Sequence, residues 1–270
     1  MFVGWIRQNS FKEDLEEFTK LKIVDKNLIL NTILANNNIS YGAYDNNKLI
    51  AFISLIEFDD TILINNLYYL DICDEKIITR VISIALKNIK STKTILLLSN
   101  LKEKSILEKF GFKKYSKFYK AIYGKESVAF NFSNKMSQSI NNENYLTVLK
   151  NIDKRCIKQD RYDYLTSYLF KQSSLVLSTS FGYQHSYAVD KNIVKISPWI
   201  MEDAAYSDAE KILRGVIYHR GLKKIVAFVP SEIKEITDLY SSYKFDFVED
   251  YYLMYLNKEP NINLEMLYAF

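Results

Sequence analysis

The stretch Leu67-Tyr68-Tyr69-Leu70-Asp71-Ile72-Cys73-Asp74-Glu75-Lys76-Ile77-Ile78-Thr79-Arg80 decides how this chain folds. An apolar strand, Ile62 to Leu70, runs into a short acidic loop. A helix carrying Ile77, Ile78, Val81, Ile82, Ile84, Ala85 and Leu86 begins there. A strand that delivers the chain to a helix N-terminus commonly holds an anion, because the first N–H groups lack intrahelical partners and that end of the dipole is positive. This loop has the position without the chemistry. It contains no glycine, and Asp71, Asp74 and Glu75 already place negative charge there.

On the N-terminal side, Phe2 to Arg7 reads as a strand, and Ser10 with Glu13 as a capping box opening a helix through about Leu21. Asn27 to Ala35 reads as a second helix, broken by Asn36-Asn37-Asn38. Strands Ile39–Tyr44 and Leu49–Phe58 are joined by the turn residues Asp45-Asn46-Asn47. On the C-terminal side, the apolar run Thr94–Leu98 marks a strand buried on both faces. A helix from Lys102 to Phe110 stops at Gly111. Strand-like Phe112–Tyr123 and Val128–Phe132 follow. The polar segment from Asn134 to Asn144 is the expected linker, giving an N-terminal domain over residues 1–133 and a C-terminal domain over residues 145–270. Beyond it, helices are expected over Tyr145–Ile157, Asp160–Phe170, Ala204–Tyr218 and Ser231–Tyr243. Strands are expected over Leu175–Ser178, Ser186–Val189, Ile193–Met201, Lys224–Val229 and, as the last element, Phe247–Leu256.

The two halves repeat one order. Leu67 lies 7 residues after Asp60 and 44 before Gly111; Trp199 lies 7 after Asn192 and 45 before Lys244. Between these anchors each half runs strand, loop, helix, buried strand, helix, and ends on Gly111-Phe112 or Lys244-Phe245. Agreement of order and length together favours duplication of one unit.

Composition bounds the function. With 270 residues, 48% hydrophobic and 14% aromatic, the chain can bury two sizeable cores. A net charge of +4 is too mild to imply nucleic acid. No apolar run approaches the roughly 20 residues of a membrane span, and the N-terminus lacks a signal-peptide shape. Cys73 and Cys156 are isolated, which predicts a reducing, cytoplasmic setting. With only His185 and His219 beside them, no metal site is expected.

Three segments carry a family resemblance: the opening stretch at Leu67, Ser99-Asn100-Leu101-Lys102-Glu103-Lys104-Ser105-Ile106-Leu107-Glu108-Lys109-Phe110-Gly111-Phe112, and Val229 to Phe245. With Ile196-Ser197-Pro198-Trp199-Ile200, they resemble the GNAT superfamily of acyl-CoA-dependent N-acyltransferases, and more narrowly bacterial proteins with two such domains in tandem. Asn100, Gly111 and Phe112 match the family's Asn-x6-Tyr-x3-Gly-Phe pattern. The resemblance implies an α/β fold, each domain a central mixed sheet flanked by helices. It also implies N-acetyl transfer from acetyl-CoA, as cosubstrate, to the amine of a small molecule or protein. It places cofactor contacts at Leu67, Tyr68, Tyr69, Lys76, Ile77, Ile78, Thr79, Arg80 and Asn100, with a backbone N–H of the Leu67–Leu70 strand holding the oxyanion. The departures matter equally. Where the family's loop has a basic residue and two small ones, this chain has Asp74, Ile77 and Thr79. A carboxylate repels pyrophosphate, and side chains block the close backbone approach that glycine permits. The second-half counterpart, Met201 to Glu210, is also acidic and glycine-free. The family's general-acid Tyr falls on Leu107 in the first half and on Tyr240 in the second.

Each candidate has a plain alternative. Tyr240 is a thiolate-side acid or a core tyrosine. Glu57 is a general base or a solvated strand end. Lys76 and Arg80 meet phosphates or solvent. Asn100 touches ligand or caps the following helix. Cys73 is expected to be an inert thiol, and His185 and His219 structural or exposed. All of the excess positive charge lies in residues 1–133, which hold 19 Lys/Arg and 15 Asp/Glu. Lys113, Lys114, Lys117, Lys120 and Lys125 are interleaved with Tyr115, Phe118, Tyr119 and Tyr123. That pattern suits a lysine-guarded strand edge better than RNA. Two functions follow: first an N-acetyltransferase, which the family shape favours, and as the alternative a degenerate GNAT-fold binding or regulatory module without acetyl-CoA, which the loops favour. Oligomeric state is not legible.

Overall fold

The computed structural model describes residues 1–33, 38–89, 91–124, 138–139, 143–170 and 174–270; of residues 38, 138–139 and 143–148 it describes the backbone alone. Two compact units emerge, one holding residues 1–113 and 254–260, the other residues 114–253 and 261–270.

The first unit contains β1 (Phe2–Trp5), α1 (Phe11–Leu21), α2 (Lys26–Ile33), β2 (Asn38–Asp45), β3 (Lys48–Glu57), β4 (Thr61–Tyr69), α3 (Glu75–Asn88), β5 (Thr94–Asn100) and α4 (Leu101–Glu108). The strands lie in the order β1-β2-β3-β4-β5. The first three pairings are antiparallel and β4–β5 is parallel. The hairpin turn places Asn46 and Asn47 at φ of 47° and 62°, the left-handed region that Asn tolerates. Helix α1 buries Phe11, Leu15 and Phe18; the two phenylalanines meet Phe52 of β3 edge-on at 6.0 and 5.5 Å. Helix α3 seats Ile78, Val81, Ile82 and Ala85, the i, i+3, i+4, i+7 set read from sequence. The expected capping box at Ser10 does not form. Ser10 sits at φ −115°, ψ 3°, not extended as a capping residue must be, and its hydroxyl donates to Asp14 Oδ2 at 3.0 Å.

The second unit contains β6 (Lys113–Tyr123), whose first residue belongs to the first unit, then β7 (Gln138–Ser139), α5 (Glu143–Ile157), α6 (Tyr162–Tyr164) continuing into a π turn (Leu165–Leu169), β8 (Ser174–Thr179), β9 (Gly182–Ala188), β10 (Ile193–Met201), α7 (Tyr206–Arg220), β11 (Lys224–Pro230), α8 (Lys234–Ser242), β12 (Asp246–Leu256, from Met254 in the first unit) and β13 (Leu267–Ala269). Its strands run β12-β6-β11-β10-β9-β8-β7. Strands β10 and β11 are parallel, like β4 and β5. Strand β6, which precedes the expected linker, pairs antiparallel with β11 from Tyr123↔Ile225 to Phe118↔Pro230. Residues 125–137 and 140–142 lie outside the described residues, and with them Lys125, the strand expected at 128–132 and most of the linker. The core packs Trp199, Ile212, Leu213, Val216, Tyr240, Phe245 and Tyr268 together, all buried.

The repeat anchors are equivalent in three dimensions. Gly111 and Lys244 both follow a helix at positive φ, 86° and 62°. In both turns the next residue's amide reaches back to the helix: Phe112 N donates to Leu107 O at 3.2 Å, and Phe245 N to Tyr240 O at 3.1 Å. Leu107 and Tyr240 therefore occupy the same place in the two units. Two strands lie where the sequence led one to expect none: β7, inside the expected linker, and β13, beyond Leu256.

Candidate functional site

In both units a bulge bends the middle strand away from its parallel neighbour. Strand β4 opposes Ser54 with Asn66 and Leu55 with Ile64, leaving Asn65 as the extra residue. Its amide oxygen accepts from Ser54 Oγ at 2.9 Å, and its nitrogen donates to Thr32 Oγ1 at 3.4 Å. Pairing to β5 covers Thr61↔Thr94, Ile62↔Ile95 and Leu63↔Leu96 only, though β4 runs on to Tyr69 and β5 to Asn100. In the second unit, Ser197 and Pro198 together oppose the single residue His185, and pairing to β11 ends at Ile196↔Ala227. Parallel strands that part at their C-terminal ends leave a crevice edged by backbone groups, the usual ligand position in sheets of this kind.

His185 completes the second bulge. Its Nδ1 lies 2.6 Å from Ser197 O and its Nε2 2.8 Å from Ser174 Oγ. A carbonyl only accepts, so Nδ1 carries the proton and Ser174 donates to Nε2. Burial disfavours the imidazolium and lowers the pKa to about 4. The expectation of a structural histidine holds here, with a definite role.

In the first unit the crevice ends at the acidic loop. The Asp74 carboxylate accepts from Ile77 N at 2.9 Å and caps α3, so the helix end that would face an anion already has its own. Glu75 pairs with Lys109. At the neighbouring helix start, Asn100 Oδ1 accepts from Glu103 N at 2.9 Å and Glu103 Oε2 from Asn100 N at 3.0 Å, a complete capping box. Asn100 is a cap. Tyr69 is buried between the two helix starts. The side chains of Asn100 and Glu103 reach its hydroxyl, Lys22 and Lys102 lie 4.6 and 5.0 Å from its ring centre, and burial lifts its pKa to about 12. Cys73 is buried, its thiol 3.2 Å from Ile50 O, with a pKa raised by burial. Of the other expected contacts, Leu67 and Tyr68 are half-buried on β4, Ile77 and Thr79 half-buried on α3, Ile78 fully in the core, and Lys76 and Arg80 exposed. Glu57 is not part of this group. It pairs with Lys93 at 2.8 Å and faces Ile62, at the opposite end of β4, roughly 20 Å from Tyr69.

In the second unit the crevice is filled by the chain itself. Strand β13 lies against β10, Trp199↔Ala269 and Ile200↔Leu267, and Phe270 N donates to Phe228 O of β11 at 3.0 Å. The Tyr240 hydroxyl, the candidate acid, donates to Tyr268 O at 3.1 Å, and burial lifts its pKa well above the ordinary value. Tyr268, whose ring centre is 5.1 Å from that of Trp199, is fully buried.

The lysine-rich strand is not the sheet edge that its sequence suggested: β6 lies between β12 and β11, and two of its lysines face acids. Lys117 pairs with Asp250 at 2.8 Å and Lys120 with Glu249 at 3.0 Å, both across to β12. Among the described residues no helix is long and apolar enough to cross a membrane.

Each crevice has a feature that works against an acyl-CoA. The first offers a capped, acidic helix end where pyrophosphate would need free amides. The second holds a strand where an extended cosubstrate would need an open edge.

No family model and no curated protein matches this sequence. Solved structures do. A protein from Pyrococcus horikoshii assigned to the acetyltransferases matches over 99% of this chain and 93% of its own, at 16% identity and a TM-score of 0.79. A tandem GNAT protein from the clavulanic acid biosynthesis pathway matches over 94% and 98%, at 8% identity and 0.61. A GCN5-related N-acetyltransferase from Sphaerobacter thermophilus matches over 98% and 98%, at 9% identity and 0.63. At these identities the likeness is one of fold.

Proposed function

We propose that this chain, which carries the tandem GNAT fold, works as a binding module and not as an acetyl-CoA-dependent transferase. The observation that supports this most is β13 lying between β10 and β11, with Tyr240, the one residue matching the family's acid, bonded to its backbone. The first unit supports it too, since Asp74 takes up Ile77 N at the start of α3 and Asn100 takes up Glu103 N at the start of α4, each putting a side-chain acceptor where an anion would sit. Titration calorimetry with acetyl-CoA is the direct test. The reading expects neither heat nor a thermal shift at millimolar cosubstrate. Saturable binding, or acetyl transfer to any amine in a panel, overturns it.

One observation favours the second reading, N-acetyl transfer to an amine in the first unit. The bulge at Asn65 and the early parting of β4 from β5 leave the Leu67–Tyr69 edge without strand pairing to β5. If acetyl-CoA binds there, Lys76→Ala and Arg80→Ala weaken it; unchanged affinity removes α3 from the site.

A further inference from the structure

The second unit's crevice holds an occupant that does not fully satisfy it. Gln184 is fully buried with neither side-chain amide atom hydrogen-bonded among the described residues, and the same holds for Trp199 Nε1 and the Tyr268 hydroxyl. These atoms belong to one cluster: Gln184 and Trp199 are register partners on β9 and β10, and Trp199 stacks against Tyr268. Buried polar groups without partners cost free energy each, and a permanent core strand would be expected to satisfy or omit them.

The segment is held the way proteins hold peptides. Upstream, Asn263 N donates to Cys156 O at 2.8 Å, Met201 N to Met266 O at 2.9 Å, and Ile262 N meets the Tyr115 hydroxyl at 3.2 Å. Then β13 adds to the β10 edge, Tyr268 fills an aromatic pocket of Trp199, Tyr206 and Tyr240, and Phe270 packs 6.0 Å from Phe118. Main-chain bonds along an edge with a pocket for one side chain constitute β-strand addition.

We propose that the β10–β11 crevice is a peptide-binding site for an extended, largely apolar segment that carries a tyrosine, and that residues 261–270 of this chain are its resident ligand, held in exchangeable form. This rests on the binding-module reading for the second unit only. An acetyl-CoA titration run alongside reports on that reading separately from the peptide result.

The test uses the full chain with a protease site inserted in the exposed segment Asn257–Glu259, so that the protein folds with its tail and is cut afterwards. A labelled synthetic peptide of sequence 261–270 is then added. Saturable uptake by the cut protein, none by the uncut protein, and a Tyr268→Ala peptide competing about 30-fold more weakly are expected. A cut protein that loses its fold, or that never exchanges its tail for the labelled peptide, overturns the proposal and makes β13 a permanent strand. Hydrogen exchange on the uncut protein gives a second reading. The Met201 and Phe270 amides should exchange at least about tenfold faster than those of α7, by opening of the tail alone. Equal rates sink the idea.

Discussion

The two crevices are built alike and closed differently. In each, a bulge turns the middle strand away from its parallel partner after three or four residue pairs, and a helix starts just beyond. The first is closed electrostatically, by Asp74 on the end of α3, with Tyr69 buried beside the start of α4. The second is closed sterically, by the chain's own strand β13. A shared backbone plan thus loses access in one case through a few side chains on a fixed framework and in the other through an added strand. The consequences differ: charge can be removed by one substitution, whereas a strand must leave.

The largest expected effect lies in the sterically closed unit. Tyr268→Ala removes a fully buried ring and should cost about 3–5 kcal/mol in urea unfolding, by analogy with other aromatic truncations in cores. Tyr268→Phe is the control. Its hydroxyl has no partner among the described residues, so the change should be neutral or slightly stabilising. A loss below about 1 kcal/mol for the alanine variant would mean that β13 is not what fills the crevice.

Acid should also separate the units. His185 titrates at about 4 when folded against 6.5 when free. Above pH 6.5 both states leave it neutral and the full stability is present. As pH falls from 6.5 to 4 the unfolded chain takes up a proton that the folded one refuses. Stability therefore drops, by on the order of 3 kcal/mol across that window. The first unit's bulge rests on Asn65, Ser54 and Thr32, none of which titrates there. His185→Gln should flatten the wild-type dependence between pH 7 and pH 4; an unchanged slope would detach the second bulge from its histidine.

In the electrostatically closed unit the effect is smaller. Asp74→Ala removes a helix cap and should cost about 1 kcal/mol. It also frees Ile77 N and removes a negative charge at the start of α3, so sulfate should raise the variant's Tm more than the wild type's. Equal sulfate responses would show that charge is not what closes this crevice.

The sequence carried the framework well because the framework is periodic. The i, i+3, i+4 pattern of Ile78, Val81, Ile82 and Ala85, the continuous run at Thr94 and the spacing of the Gly111 and Lys244 anchors reflect local geometry, and each appears in the structure. Asn100 as a cap was one of two readings and needed only the residue three positions on. What closes the crevices is mostly not local. Leu267-Tyr268-Ala269-Phe270 is too short to show a period, and its partners Trp199 and Phe228 lie far back in the chain. The partners of His185 were not visible because one is the backbone carbonyl of a bulge and the other, the Ser174 hydroxyl, is set by strand register rather than by sequence spacing. Glu57 looked eligible as a base because strand-end carboxylates do, until register put it at the other end of β4.

The subtlest comparison concerns the anchors themselves. Gly111 and Lys244 hold the same left-handed turn, and only glycine holds it without steric cost. A Cβ at Gly111 would meet Leu256 Cδ1 at 3.6 Å, ordinary contact, so Gly111→Lys tests backbone conformation and not crowding. It should lose about 1 kcal/mol, and Lys244→Gly should gain slightly less, because glycine also has more freedom to lose on folding. The anchors lie in different units, so the two changes should add, leaving the double variant within about 0.5 kcal/mol of wild type. A strongly non-additive double variant would mean that the two turns, alike in geometry, are not independent in energy, and the treatment of the units as two copies of one design would fail at the position where the repeat was first visible.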